Sequence, residues 1–196
     1  MFGPMLCNIL ILTVLIFCVT VLAGCDSGDQ SSGSNDAGSN PAGDLALHSP
    51  SFDDGGMMPE KHAYRQQNLS PSLQWSNVPD SAKSLALICD DPDAPNKTWV
   101  HWVIYNIPAS AGGLEEGVAK DATPSQPSGS VQGTNDFGNV GYDGPAPPSG
   151  THRYFFKLYA LDVADLQPGL DKQGLLDAME GHIVAEARLM GRYGAV

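Results

Sequence analysis

No lysine or arginine precedes Lys61 in this 196-residue chain. Cations stay scarce beyond it. Ten Lys and Arg face 22 Asp and Glu, for a formal charge of -12. That balance argues against nucleic acid as a partner and against general adhesion to anionic lipid, while leaving room for a small local anion pocket. Cysteine is also sparse. Of four, Cys7, Cys18 and Cys25 fall in the first 25 residues, so Cys89 stands alone in the rest and no internal disulfide forms there. Cys89 ends an apolar run without a basic neighbour, which marks a buried core residue rather than a reactive thiol. H-E-x-x-H, P-loop and G-x-S-x-G patterns are all missing. From Asp26 to Asp44 there is no large apolar residue, the composition of a disordered acidic Gly/Ser linker.

What is present at the start is "ILILTVLIFCVTVLA", Ile9 to Ala23, too short for a membrane span and the right length for a signal-peptide core. It ends in "LAGC", Leu22 to Cys25, which looks like a bacterial lipobox. The expected organisation is a lipoprotein-type signal over 1–24, a linker over 25–44 with Cys25 lipidated, and a globular domain over 45–196. The missing positive n-region leaves an uncleaved anchor as the alternative. Both readings put the domain in the bacterial cell envelope, on a membrane tether and facing away from the cytoplasm.

The remainder contains many turn formers, with 22 Gly and 15 Pro in the whole chain, and points to a β-rich body. "SLALIC" (84–89), "WVHWVIYNI" (99–107) and "HRYFFKLYAL" (152–161) are strand candidates. The long Gly/Pro/Ser/Asn/Asp segment between the last two, about 109 to 150, is of a length that usually serves function. "GLLDAMEGHIVAEARLM" sets Leu175, Leu176, Met179, Ile183, Ala187 and Met190 at helical spacing, with Gly174 and Gly181 as interruptions. Strand alternation groups His152, Tyr154, Phe156 and Leu158 on one face, and His101 with Trp99 and Val103 on another. "DDPDAP", 90–95, reads as a stiff turn after a buried strand, with Asp90 and Asp93 capping or solvating it.

Three blocks, "DDPDAP", "WVHWVIYNIP" and "NDFGNVGYDGPAPPSGTHRYFFKLYALD", together resemble the phosphatidylethanolamine-binding protein family in its bacterial Raf-kinase-inhibitor-like branch. The resemblance covers about 45 to 193. It implies a mainly β fold: an antiparallel β-sandwich with short helices and a C-terminal helical segment. It also implies a small pocket for phosphate-like anions or a phospholipid head group, walled by Asp91, Pro95, His101, Ala146, Pro147, His152 and Tyr154. Neutral imidazole and phenol groups would donate to the anion. Arg153, on the opposite face, would be structural and paired with Asp93. Where relatives carry cysteines, this chain has Tyr64 and Ala146, and Arg65 adds a positive charge near the pocket rim. The expected function is a binding module for a small anionic or phosphorylated ligand, without catalysis, cofactor or metal. A protease-inhibitor or protein-interaction role in the envelope, and a hydrolase using the Asp/His pocket, stay open as alternatives.

Overall fold

The computed structural model describes residues 44–195. The signal, the linker and Cys25 expected from the sequence lie outside them, apart from Asp44. Among the described residues, eight strands form two antiparallel sheets. β1 (Ala46–His48), β2 (Leu73–Ser76) and β5 (Gly113–Leu114) make a small sheet in the order β1-β2-β5. β3 (Ser84–Asp91), β4 (Trp99–Pro108), β6 (Val131–Gln132), β7 (Thr151–Leu161) and β8 (Ile183–Gly194) make a large one in the order β6-β4-β3-β7-β8. A 3-10 turn spans Glu60–His62, and one helix, α1, spans Lys172–Met179.

β3 is central and buried along its whole length. That explains why its sequence shows an unbroken apolar run rather than alternation. Leu85, Leu87 and Cys89 point into a core shared with Leu73 and Trp75 of the small sheet. Ala86 and Ile88 point the other way, where Leu175 and Met179 of α1 cover the sheet. The parity continues to the end of the strand. Asp91 falls on the face of the inter-sheet core, and Asp90 falls on the α1 face. There Asp90 is 1% exposed and accepts from Lys157 Nζ (2.9 Å) and Lys172 Nζ (2.6 Å). It therefore anchors α1 to the sheet instead of capping a turn.

β7 alternates as expected, with His152, Tyr154, Phe156 and Leu158 all buried. β4 does not. Its pairing with β3 steps from Cys89↔Trp102 to Asp90↔Val100, so His101 has no residue opposite it. This bulge turns His101 and Trp102 to the same side, while Val103 belongs to the α1-side core. Grouping His101 with Trp99 holds; grouping it with Val103 fails, because the extra residue breaks the period of two.

The C-terminal helical stripe is also corrected. The helix begins at an N-cap, Asp171, whose side chain accepts from Gly174 N at 2.8 Å, and ends at Met179. Gly181, at φ +77°, reverses the chain in the left-handed region that glycine enters without a Cβ clash. Ile183, Ala187 and Met190 then lie on β8, not on a helix.

Candidate functional site

The turn after β3 is built by its own aspartates. Asp91 Oδ1 accepts from Asp93 N at 2.8 Å, an Asx-type closure. Asp91 Oδ2 accepts from His152 Nδ1 at 2.7 Å. One carboxylate thus shapes the turn and orients an imidazole on β7. Asp93 ties the same turn to β7 from outside. It accepts from Arg153 N (3.0 Å), Nε (2.9 Å) and Nη2 (2.7 Å), and these bonds, outweighing partial burial, hold its carboxyl at about 2. The Arg153–Asp93 pairing expected from the sequence is present.

His101 is fixed from the other direction. Its Nδ1 lies 2.6 Å from the Asp143 carbonyl oxygen, and Asp143 N donates to the His101 carbonyl at 2.9 Å. The Asp143 carboxylate is a hub. Burial pushes its pKa up, but donors from Lys120 (2.7 Å), Asn139 (2.9 Å), Asn68 (2.8 Å) and Asn135 (3.0 Å) outweigh burial and bring it below the ordinary carboxylate value. Asn135 Oδ1 accepts in turn from Phe137 N and Asn139 N. This places the Phe137 ring, which stacks on Tyr64 at 4.6 Å and meets Trp99 and His101 edge-on at 5.5 and 5.4 Å. Sequence reasoning missed Asp143, Asn135, Asn68 and Lys120. The "NDFGNVGYDG" block contains two of the four, but the bond to His101 runs through a backbone carbonyl, which no side-chain pattern announces.

These elements enclose a cavity of about 210 Å³. Asp91, Pro95, His101, Ala146 and His152 all line it, joined by Trp99 from the His101 face and by Ala94, Phe137 and Pro148, which the sequence did not single out. Tyr154 lies beneath rather than in the wall. It is 1% exposed and packs edge-on against His101 at 5.1 Å. Its hydroxyl is buried and makes no hydrogen bond of good geometry among the described residues; the Asp91 carboxylate and the Ala146 backbone lie near it without completing one. Burial first, then the Asp91 charge, pushes its pKa far up. Pro147 faces away, into a neighbouring cavity of about 230 Å³ that includes Arg65, Gln66 and Tyr193. Ala146 borders both spaces. A wider groove of about 710 Å³ runs along β2 and the 111–119 segment; its one histidine, His48, bonds Gln74.

Both imidazoles share one constraint. A carbonyl and a carboxylate oxygen can only accept, so each Nδ1 carries the proton. The one N–H of a neutral His101 is therefore already used within the protein. It is not available as the anion donor that the sequence reading expected.

A family model described as "Phosphatidylethanolamine-binding protein" matches residues 48–194. The chain belongs to the phosphatidylethanolamine-binding protein family. A UPF0098 protein of Methanothermobacter thermautotrophicus is 57% identical over 150 residues, covering 76% of this chain and 98% of the relative. A UPF0098 protein of Chlamydia muridarum is 43% identical over 155 residues, covering 76% and 98%. Among solved structures, the phosphatidylethanolamine-binding protein homolog CT736 of Chlamydia trachomatis superposes with a TM-score of 0.72 at 40% identity, covering 79% of this chain and all of that one. E. coli YbcL, described as a member of the mammalian family, also gives 0.72, at 31% identity over 78% of this chain and 99% of its own. The two-sheet phosphatidylethanolamine-binding fold is thus shared at levels of identity that also support membership.

Proposed function

We propose that this family member binds a small anionic or phosphorylated ligand, such as a phospholipid head group, in the cavity between the 91–95 turn and the 133–148 segment, without turning it over. The observation that carries this reading is the convergence of two imidazole edges and one carboxylate in a cavity otherwise walled by Ala, Pro, Trp and Phe. A concave, mostly apolar wall with few converging polar groups is the usual form of a small-ligand site. The prolines of the flanking turns hold that shape before binding and lower the ordering cost. Absence of turnover is supported by the lining itself. No Ser, Thr, Cys or Lys stands among the lining residues. Cys89 is buried, and burial followed by the nearby Asp90 and Asp91 pushes its thiol well above the usual range. A phosphatase and esterase screen of the purified protein should return no activity above that of a His101→Ala/His152→Ala variant.

Calorimetry with inorganic phosphate tests the binding. The unaltered protein should give a saturable heat, and a folded His101→Ala/His152→Ala variant should give none. Unchanged affinity in that variant refutes the reading. Tethering belongs to the same proposal: Cys25 is lipidated and holds the domain on the outer side of a bacterial membrane. Mass spectrometry of the mature N-terminus should show an acylated Cys25; an intact Met1 would overturn the lipoprotein.

A further inference from the structure

His101 is 3% exposed, yet its ring edge borders the cavity. Nδ1–H is committed to the Asp143 carbonyl, the Gly144 carbonyl lies beside the ring, and no donor among the described residues reaches Nε2. In the neutral ring Nε2 is a bare lone pair, an acceptor. Asp91 in the same wall is an acceptor as well, with Oδ2 held by His152 and Oδ1 by Asp93 N, while the unpartnered Trp99 Nε1–H is a donor. An anion whose oxygens are all acceptors meets lone pair against lone pair at His101. One proton must sit between that nitrogen and the ligand.

We infer that His101 makes the cavity selective for oxyanions that bring their own acidic proton: a phosphate monoester in its singly charged form, donating P–OH to Nε2, over a phosphate diester of equal charge. This rests on the anion-binding reading above and narrows it to a free head-group monoester, as against the diester of an intact phospholipid. The groups around His101 agree with a neutral ring. Burial lowers its pKa and outweighs the opposing pull of the Asp143 and Gly144 carbonyls and the Asp91 and Asp143 carboxylates. From β3 it faces Asp91; from β7, Tyr154 and His152; from the loop after β6, Phe137 and Asp143. The Asp143 charge is itself engaged by Lys120. The two carboxylates also disfavour a second negative charge on the ligand, which again selects the singly charged form. His152, whose Nδ1 is held by Asp91, lines the same cavity.

Methyl phosphate and dimethyl phosphate separate the effects. Near pH 6 about half of a phosphate monoester carries its second proton. Dimethyl phosphate carries one charge and no proton. Calorimetry on the full chain at pH 6 should give methyl phosphate at least about tenfold tighter binding, since a site built around one hydrogen bond rejects a partner that lacks it. Its affinity should fall about tenfold per pH unit well above its second ionisation. In His101→Gln the amide can turn an N–H toward the ligand, and the preference should collapse toward one. Equal affinity for the two esters in the unaltered protein, with both lost in His152→Ala, overturns the selectivity and leaves the binding reading standing. Failure of both esters to bind removes the two together.

Discussion

Asp91 uses both carboxylate oxygens, one on its own turn and one on His152, so its loss has two consequences. Asp91→Ala should destabilise the fold by about 2 kcal/mol in urea titration, because a buried imidazole N–H and a turn N–H both lose their acceptor. Asp91→Asn keeps an acceptor oxygen and should cost clearly less. Two other buried histidines set the response to acid. Burial lowers the pKa of both His62 and His101. A folded-state value below the unfolded one means that the unfolded chain takes up protons first. Stability should be flat above about pH 6.5 and fall below it as the unfolded chain protonates, by about 1.4 kcal/mol per unit of depression. A second loss follows below about pH 4, where Asp93, at about 2, and Asp143 are the depressed carboxylates. Thermal melts at closely spaced pH values should show both steps, and His62→Gln should shrink the first. At this scale much of the site is legible. Asp91, His101 and His152 are titratable residues in recognisable blocks. Asp143 is not, because it acts on His101 through its carbonyl and is held by Asn68, 75 residues away in the chain.

Among the elements, legibility follows periodicity. β7 shows a clean alternation of bulky residues and is read correctly. β3 is read as a buried strand, though its extension to Asp91 and the inward turn of Asp90 are not foreseen. β8 is hidden because its inward positions include Ala185, Ala187 and Gly191, which carry little hydrophobic signal, while Ile183 and Val184 are exposed. The helical period of Leu175 and Met179 therefore extrapolates past Gly181 into a strand. Two tests belong here. Lys157→Ala and Lys172→Ala should each be mild, because Asp90 keeps the other partner. The double variant leaves a buried carboxylate uncompensated and should cost about 3–5 kcal/mol in chemical denaturation. Gly144 passes so close to the His62 carbonyl that a Cβ would lie 1.8 Å from its oxygen. Gly144→Ala should displace the 143–148 arm and abolish ligand binding even where the domain still folds, read as retained far-UV circular dichroism with no binding heat.

The whole molecule works at long range against the anionic ligand proposed above. A chain of net charge -12 repels an approaching anion, whatever the cavity offers once the anion arrives. Trp99 stands in the cavity wall and supplies an optical reporter. Stopped-flow fluorescence with methyl phosphate should show the association rate rising by about twofold or more as ionic strength goes from about 0.01 to 0.15 M, while the Debye length shrinks from about 30 to 8 Å. A rate that falls with salt would mean that a local positive field, with Arg65 in the adjoining cavity, dominates the net charge.

The bulge in β4 makes the site a matter of counting as well as of chemistry. His101 faces the cavity because one extra residue sits between the positions that pair with Cys89 and Asp90. Delete Val100, and the chain keeps Asp91, His101, His152 and every other residue of the cavity wall, yet His101 would have to take the place opposite Asp90 in the ladder. Inheritance of this site thus depends on an interval. Drift by substitution can retouch the wall one residue at a time, whereas a one-codon loss in this strand would erase the pocket at a stroke.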